Sequence, residues 1–144
     1  MCDFGFSRIR HEVTRTYTNI REGGRLRFLA PELSCGRETF RTTTASDVYS
    51  LAMTLFNLST LCLPFEELDN EWAAAHAVRQ GQRPRRVSAP RFLSGYFSML
   101  WDLMVMMWDH DAPARPAAAT ATRRLREILG PLIRSNMEND ITLV

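Results

Sequence analysis

Between Ser46 and Cys62 the chain places apolar side chains on nearly every face of a helix. Val48, Leu51, Ala52, Leu55, Leu58 and Cys62 recur at three- and four-residue spacing, and Met53, Phe56 and Leu61 fill the other side. A helix apolar nearly all round is stable only when protein surrounds it. This segment therefore predicts a central helix around which the rest of the domain is wrapped. Ser46 reads as its N-cap, and Asp47 falls in the first turn, where negative charge suits the helix dipole. Pro64 is its expected stop.

The other elements are also helical. Pro31-Glu32-Leu33-Ser34-Cys35-Gly36 reads as a single turn opened by proline and closed by glycine. Further helices are expected over about Asn70–Gln80, Leu93–Trp108 and Ala117–Leu129, the last ended by Gly130-Pro131. Residues 1–29 have no apolar period and read as an extended segment, and residues 131–144 as a polar tail that frays. No run has the period of a strand. At 144 residues the chain suits one mainly α domain.

Composition removes several chemistries. All 18 basic residues are arginine, so Schiff-base catalysis, a phosphate-binding lysine and a lysine general base are excluded within these residues. Net charge is only +2, which does not predict a nucleic-acid partner. Cys2, Cys35 and Cys62 are odd in number and far apart, which suits a reducing compartment and makes no metal pair. His11, His76 and His110 show no ligand spacing either. The longest mainly apolar stretch, Phe92 to Trp108, holds Asp102 and falls short of the roughly 20 residues of a bilayer span. It reads as a buried helix. Trp72, Trp101 and Trp108 read as core residues, as do Met104 to Met107. No signal peptide opens the chain, so no membrane is expected and the cytoplasm is the default location.

Four motifs stand in a telling order: Asp3-Phe4-Gly5, Ala30-Pro31-Glu32, Ser46-Asp47-Val48-Tyr49-Ser50 and Trp108-x-x-Asp111-x-x-x-Arg115-Pro116. Each alone recurs by chance. In this order and spacing they resemble the large lobe of a eukaryotic protein kinase from its DFG motif onward. Gly24-x-x-x-Phe28-x-Ala30-Pro31-Glu32 is similar to the end of a kinase activation segment. Leu63-Pro64-Phe65 and Gly81-Gln82-Arg83-Pro84 resemble stretches of the tyrosine-kinase-like group. The resemblance implies a truncated kinase-like lobe over residues 1–130, with an activation segment at 3–32, a helical subdomain at 46–130 and no small lobe.

It also implies roles. Asp3 would hold magnesium against the phosphates of ATP, a hard carboxylate for a hard cation. Phe4 and Gly5 would open the activation segment, in which Thr14, Thr16, Tyr17 and Thr18 are candidates for phosphorylation beside Arg8, Arg10, Arg15 and Arg21. Ala30 and Pro31 would place Glu32, which would pair with Arg115 and tie that segment to the last helices. Asp47 would accept hydrogen bonds from the catalytic loop, although its place in the first turn of a helix accounts for it equally well. Arg25 stands where the family often has a threonine that aligns the catalytic aspartate with substrate.

A working kinase also needs a Gly-rich loop, a phosphate-binding lysine and a catalytic loop with its aspartate and asparagine. The seven glycines form no Gly-x-Gly-x-x-Gly, there is no lysine, and only Met1 and Cys2 precede the DFG motif. No catalytic set is complete. The expectation is an inactive piece of an ATP- and magnesium-dependent protein kinase whose parent acts on a protein substrate, the chain alone binding neither cofactor. Its partner would be the missing half. The other reading is a stand-alone, catalytically dead helical interaction module, whose exposed helices another protein covers.

Overall fold

A computed structural model describes residues 26–34 and 42–141, with side chains as far as 134. The described residues hold five α-helices and no strand: α1 (Pro31–Ser34), α2 (Thr44–Thr60), α3 (Glu71–Arg79), α4 (Phe97–Met107) and α5 (Ala118–Ile141). Short 3-10 turns at Leu26–Phe28, Arg91–Leu93 and Ala112–Ala114 connect or precede them.

The central helix α2 starts three residues before the expected position. Thr43, not Ser46, is the N-cap. The Thr43 Oγ1 accepts the Ser46 amide at 3.1 Å, and the Ser46 Oγ accepts the Thr43 amide at 2.9 Å. This reciprocal box satisfies two amides that would otherwise lack partners, with serine in the place usually held by glutamate or glutamine. At the far end the helix stops before Pro64. Leu61 turns left-handed (φ 60°), and the Asn57 side chain donates to the Cys62 carbonyl at 2.9 Å. Phe65 is a second non-glycine residue with positive φ, 56°, so the chain leaves α2 through a costly loop.

Val48, Tyr49, Ala52, Met53 and Phe56 bury one side of α2. Against it pack α4, through Leu100, Leu103, Met104 and Met107, and α5, through Ala121 and Ile128. Phe56, Phe97, Trp101 and Trp108 form an aromatic cluster at this junction, with ring centroids 5.4–6.4 Å apart. The other side of α2 is not covered as its composition led one to expect. Leu58 is 64% exposed and Leu61 79%, and Leu51 lies on the same stripe.

The helix α3 agrees closely with the sequence signals. Asn70 caps it by accepting the Ala73 amide at 2.9 Å. Gly81 ends it at φ 79°, with the Gln82 amide on the Ala77 carbonyl and the Gly81 amide on that of Val78. Trp72, expected in the core, is 59% exposed, because the buried face of α3 is made by Ala74, Ala75, Ala77 and Val78. The segment expected as one helix over Leu93–Trp108 divides into the turn at Arg91–Leu93 and then α4. Gly95 and Tyr96 lie between them.

The helix α5 does not stop at Gly130-Pro131 but runs to Ile141. The expected polar tail from 131 is therefore replaced, as far as Ile141, by a continuation of this helix. Pro131 cannot give the amide that the Glu127 carbonyl would accept. Pro131 is exposed, so this loss falls on the solvent side, while Leu129 and Leu132 still pack against the core. The extended reading of residues 1–29 gives way at Leu26–Phe28 to a 3-10 turn, and its part over 1–25 lies outside the described residues, as does closure of the first helical turn by Gly36.

Candidate functional site: an arginine clasp between α1 and the turn before α5

Pro31 opens α1 and sets Glu32 in its first turn. Pro116 comes directly after Arg115 and keeps that residue extended, with ψ at 143°. The two side chains meet across 83 residues as a bidentate fork, Nη1 to Oε1 at 2.7 Å and Nη2 to Oε2 at 2.8 Å. Arg115 Nη1 also donates to the Ala45 carbonyl at 2.9 Å, Nε to that of Asp109 at 2.8 Å, and Nη2 to that of His110 at 3.5 Å. All five guanidinium N–H groups are thus used inside the protein. The Arg115 side chain is fully buried and that of Glu32 is 26% exposed. Burial pushes the Glu32 carboxyl up, but the Arg115 fork, a backbone hydrogen bond and the charges of Arg115 and His110 outweigh it and hold the carboxyl below its ordinary range.

Under this pair lies Tyr49 of α2. The Arg115 guanidinium sits 5.0 Å from its ring centroid and that of Arg83 5.4 Å. Arg83 is itself held by the Trp108 carbonyl, at 2.6 Å from Nε. The Tyr49 hydroxyl is buried with no hydrogen-bond partner, the one such side-chain atom among the described residues. Burial pushes the phenol well above its ordinary value, against the pull of Arg83 and Arg115. An orphaned buried hydroxyl costs about 1–3 kcal/mol. Tyr49→Phe is therefore expected to raise stability in urea by about 1 kcal/mol, and a loss of stability would show that the hydroxyl has a partner.

A second arginine gave no motif in the sequence. Arg27 is 9% exposed and has no carboxylate beside it among the described residues. It donates to the carbonyls of Pro64 and Leu68, each at 3.0 Å, and to that of Phe65. It thereby fastens the segment before α1 to the strained loop after α2. Its signal was a lone charge inside the run Leu26-Arg27-Phe28-Leu29-Ala30, where solvent could not be its partner.

Of the residues singled out from sequence, the structure brings together Glu32 and Arg115, with buried Ala30 and Pro31 beside them. Asp47 is exposed, and its carboxylate bonds no described residue. Asp3, Phe4, Gly5, Thr14, Thr16, Tyr17 and Thr18 lie outside the described residues, as does His11. His76 and His110 are both exposed. A cavity of about 170 Å³ lies beside the clasp, lined by Pro31, Glu32, Arg79 and His110.

The family model for protein tyrosine and serine/threonine kinases matches residues 1–125. The chain belongs to the protein kinase family. Over 131 residues this kinase chain is 28% identical to the ankyrin repeat-containing protein kinase A of Dictyostelium discoideum, covering 87% of the chain and 9% of that protein. Over 128 residues it is 30% identical to the serine/threonine-protein kinase STY46 of Arabidopsis thaliana, covering 89% of the chain and 20% of that protein. The receptor-interacting serine/threonine-protein kinase 2 of Bos taurus is 25% identical over 134 residues, covering 90% of the chain and 25% of that protein. The chain thus spans a quarter or less of these relatives. Its mainly helical build is that of a kinase large-lobe fragment.

The family implies ATP and Mg²⁺, and the described residues do not meet that demand. They contain no group of three His, Cys, Asp or Glu side chains able to hold a cation. The sequence has no lysine for the phosphates. Asp3, the metal ligand that the resemblance implies, lies outside the described residues. What they form is the buried Glu32–Arg115 clasp, which ties α1 to the turn before α5. No described helix is long and apolar enough to cross a membrane.

Proposed function

We propose that this chain supplies the activation-segment base and helical subdomain of a protein kinase domain, which transfers the γ-phosphoryl group of ATP to a protein hydroxyl only together with the rest of such a domain. The observation that carries this reading is the buried Glu32–Arg115 fork, made by two of the kinase motifs and closed over 83 residues. Phosphoryl transfer is almost entirely positioning and charge stabilisation, so the lobe that holds the segment is necessary and far from sufficient. In this reading Asp3 is the metal ligand of the assembled site. Thr14, Thr16, Tyr17 and Thr18 are the residues whose phosphorylation would order the segment against nearby arginines.

The exposed stripe of α2, Leu51, Leu58 and Leu61, supports a covering partner, and the rest of a kinase domain is the occupant this reading assigns. The same stripe would serve an interaction module covered by another protein, so activity separates the two readings less sharply than it tests the first. The 144-residue chain, given γ-labelled ATP, Mg²⁺ and a general protein substrate, is expected to transfer no label above a blank. Transfer that Asp3→Ala abolishes would overturn the claim that the chain alone is inactive.

A further inference from the structure

From Trp72 to Trp101 the chain carries five arginines and not one aspartate or glutamate. In the middle of this stretch, residues 82–90 form neither helix nor strand. Between Arg83 and Ala89 no amide donates to a carbonyl of another described residue. Pro84 and Pro90, without amides of their own, keep the residues between them from joining a helix. Pro84 is buried and Val87 packs half-buried on the core, while Arg85, Arg86, Ser88 and Ala89 are exposed and the amides from 85 to 89 bond no other backbone group. An enzyme cleft can bind these exposed residues in extended form once Val87 lifts from the core, with no helix to unfold.

Ser88 stands within it, exposed, and its hydroxyl bonds no described residue. Arg85 and Arg86 precede it by three and two positions. The Arg85 side chain is 86% exposed, with Glu67 no nearer than 3.9 Å. The Arg86 guanidinium rests 5.6 Å from the Trp101 ring centroid, and its Nη2 is 3.3 Å from Ser98 Oγ. Both cations are thus within reach of acidic pockets on a visiting protein. Such charge patterns are the means by which kinases choose substrates.

Among the described residues two other hydroxyls come three positions after an arginine, and both are held in helical backbone. Ser94 closes the turn at Arg91–Leu93 with φ −52° and ψ −37°, and Thr44 is the first residue of α2. Neither can lie extended in a cleft while its helix or turn persists. All three are exposed, and backbone conformation separates Ser88 from the other two.

We propose that Ser88 is a phosphorylation site for an arginine-directed serine/threonine kinase acting on this chain. The Ser88 Oγ attacks the γ-phosphorus of ATP, forming a P–O bond as the bridge to the β-phosphate breaks. ADP leaves, and the hydroxyl proton passes to the acting kinase's base. The product adds roughly two negative charges at neutral pH. The chain's net charge falls from +2 to near zero, and the phosphate sits two and three positions after Arg86 and Arg85. Charge-assisted bonds to phosphate are stronger than a contact with an aromatic face, so Arg86 leaves Trp101 for it. The inference does not depend on whether the chain itself takes part in phosphoryl transfer.

The test is to incubate the folded chain with a purified arginine-directed serine/threonine kinase and MgATP, and to map phosphate by tandem mass spectrometry. A free peptide of residues 83–91 runs beside it as the kinase's control. Phosphate is expected on Ser88 and not on Ser94 or Thr44, with a change in tryptophan emission as Arg86 shifts. The double substitution R85Q/R86Q, its fold checked by circular dichroism, is expected to cut labelling of Ser88 at least tenfold. A labelled peptide with an unlabelled chain would show the segment inaccessible and overturn the proposal. Equal labelling of Ser94 or Thr44 would overturn the selectivity, and an unlabelled peptide would overturn the recognition by arginine.

Discussion

Arg115→Ala is expected to cost about 3–5 kcal/mol of folding stability, because it leaves a carboxylate and three backbone carbonyls facing a hole. For a chain of this size that lowers the melting temperature by roughly 10–15 °C. Arg115→Lys is expected to recover little, since an ammonium cannot make the paired bonds to both Glu32 oxygens. The fork also sets a pH dependence. Glu32 has a folded value below its ordinary 4.5, so its contribution is fully present above 4.5. It is lost as the pH falls below 4.5 and through the folded value. Urea titrations of the wild type and Glu32→Gln at about pH 7 and about pH 3.5 check this: the gap between them should narrow at the lower pH. A constant gap, or a melting temperature unmoved by Arg115→Ala, would remove the clasp from the account of the fold.

Trp108→Ala is the second large effect, also about 3–5 kcal/mol. Trp108 is 3% exposed, lies edge-on to Trp101 at 5.4 Å and 6.4 Å from Phe56, and ends α4 where Arg83 takes its carbonyl. Truncation opens a cavity where α2 and α4 meet, and the ring's aromatic neighbours, buried Phe56 and half-buried Trp101, cannot collapse into it cheaply. Trp108→Phe keeps part of the aromatic contact and should lose less than half as much. Chemical denaturation measures both. A cost under about 1 kcal/mol for Trp108→Ala would show that the cluster is not a centre of stability.

Much of this was legible in the sequence, for reasons that differ from element to element. The helix α3 was readable because Asn70 and Gly81 are strong local signals that act on their own backbone. The Glu32–Arg115 meeting could be named only through motif order, since nothing local at either residue points across 83 positions. The Gly130-Pro131 stop failed because packing of Leu129 and Leu132 outweighs one missing hydrogen bond on an exposed face. Trp72 failed for the opposite reason: ring size suggests burial, yet the alanines of α3 already fill its inner face. The apolar circumference of α2 led to the expectation of cover on every side, which the described residues meet on one side only. Composition states that demand without saying which chain meets it, and Leu58 and Leu61 remain open here.

The span of the clasp bears on how the protein is made. Ribosomes release the chain from its first residue, so Glu32 emerges long before Arg115 exists to meet it. Contacts so distant in sequence carry a large closure cost and form late. Through that interval the carboxylate stays in water, and α2 is formed with its future Arg83 and Arg115 neighbours still unmade. The clasp is therefore a signal of completion: only a chain translated past Arg115 can fix α1 in place.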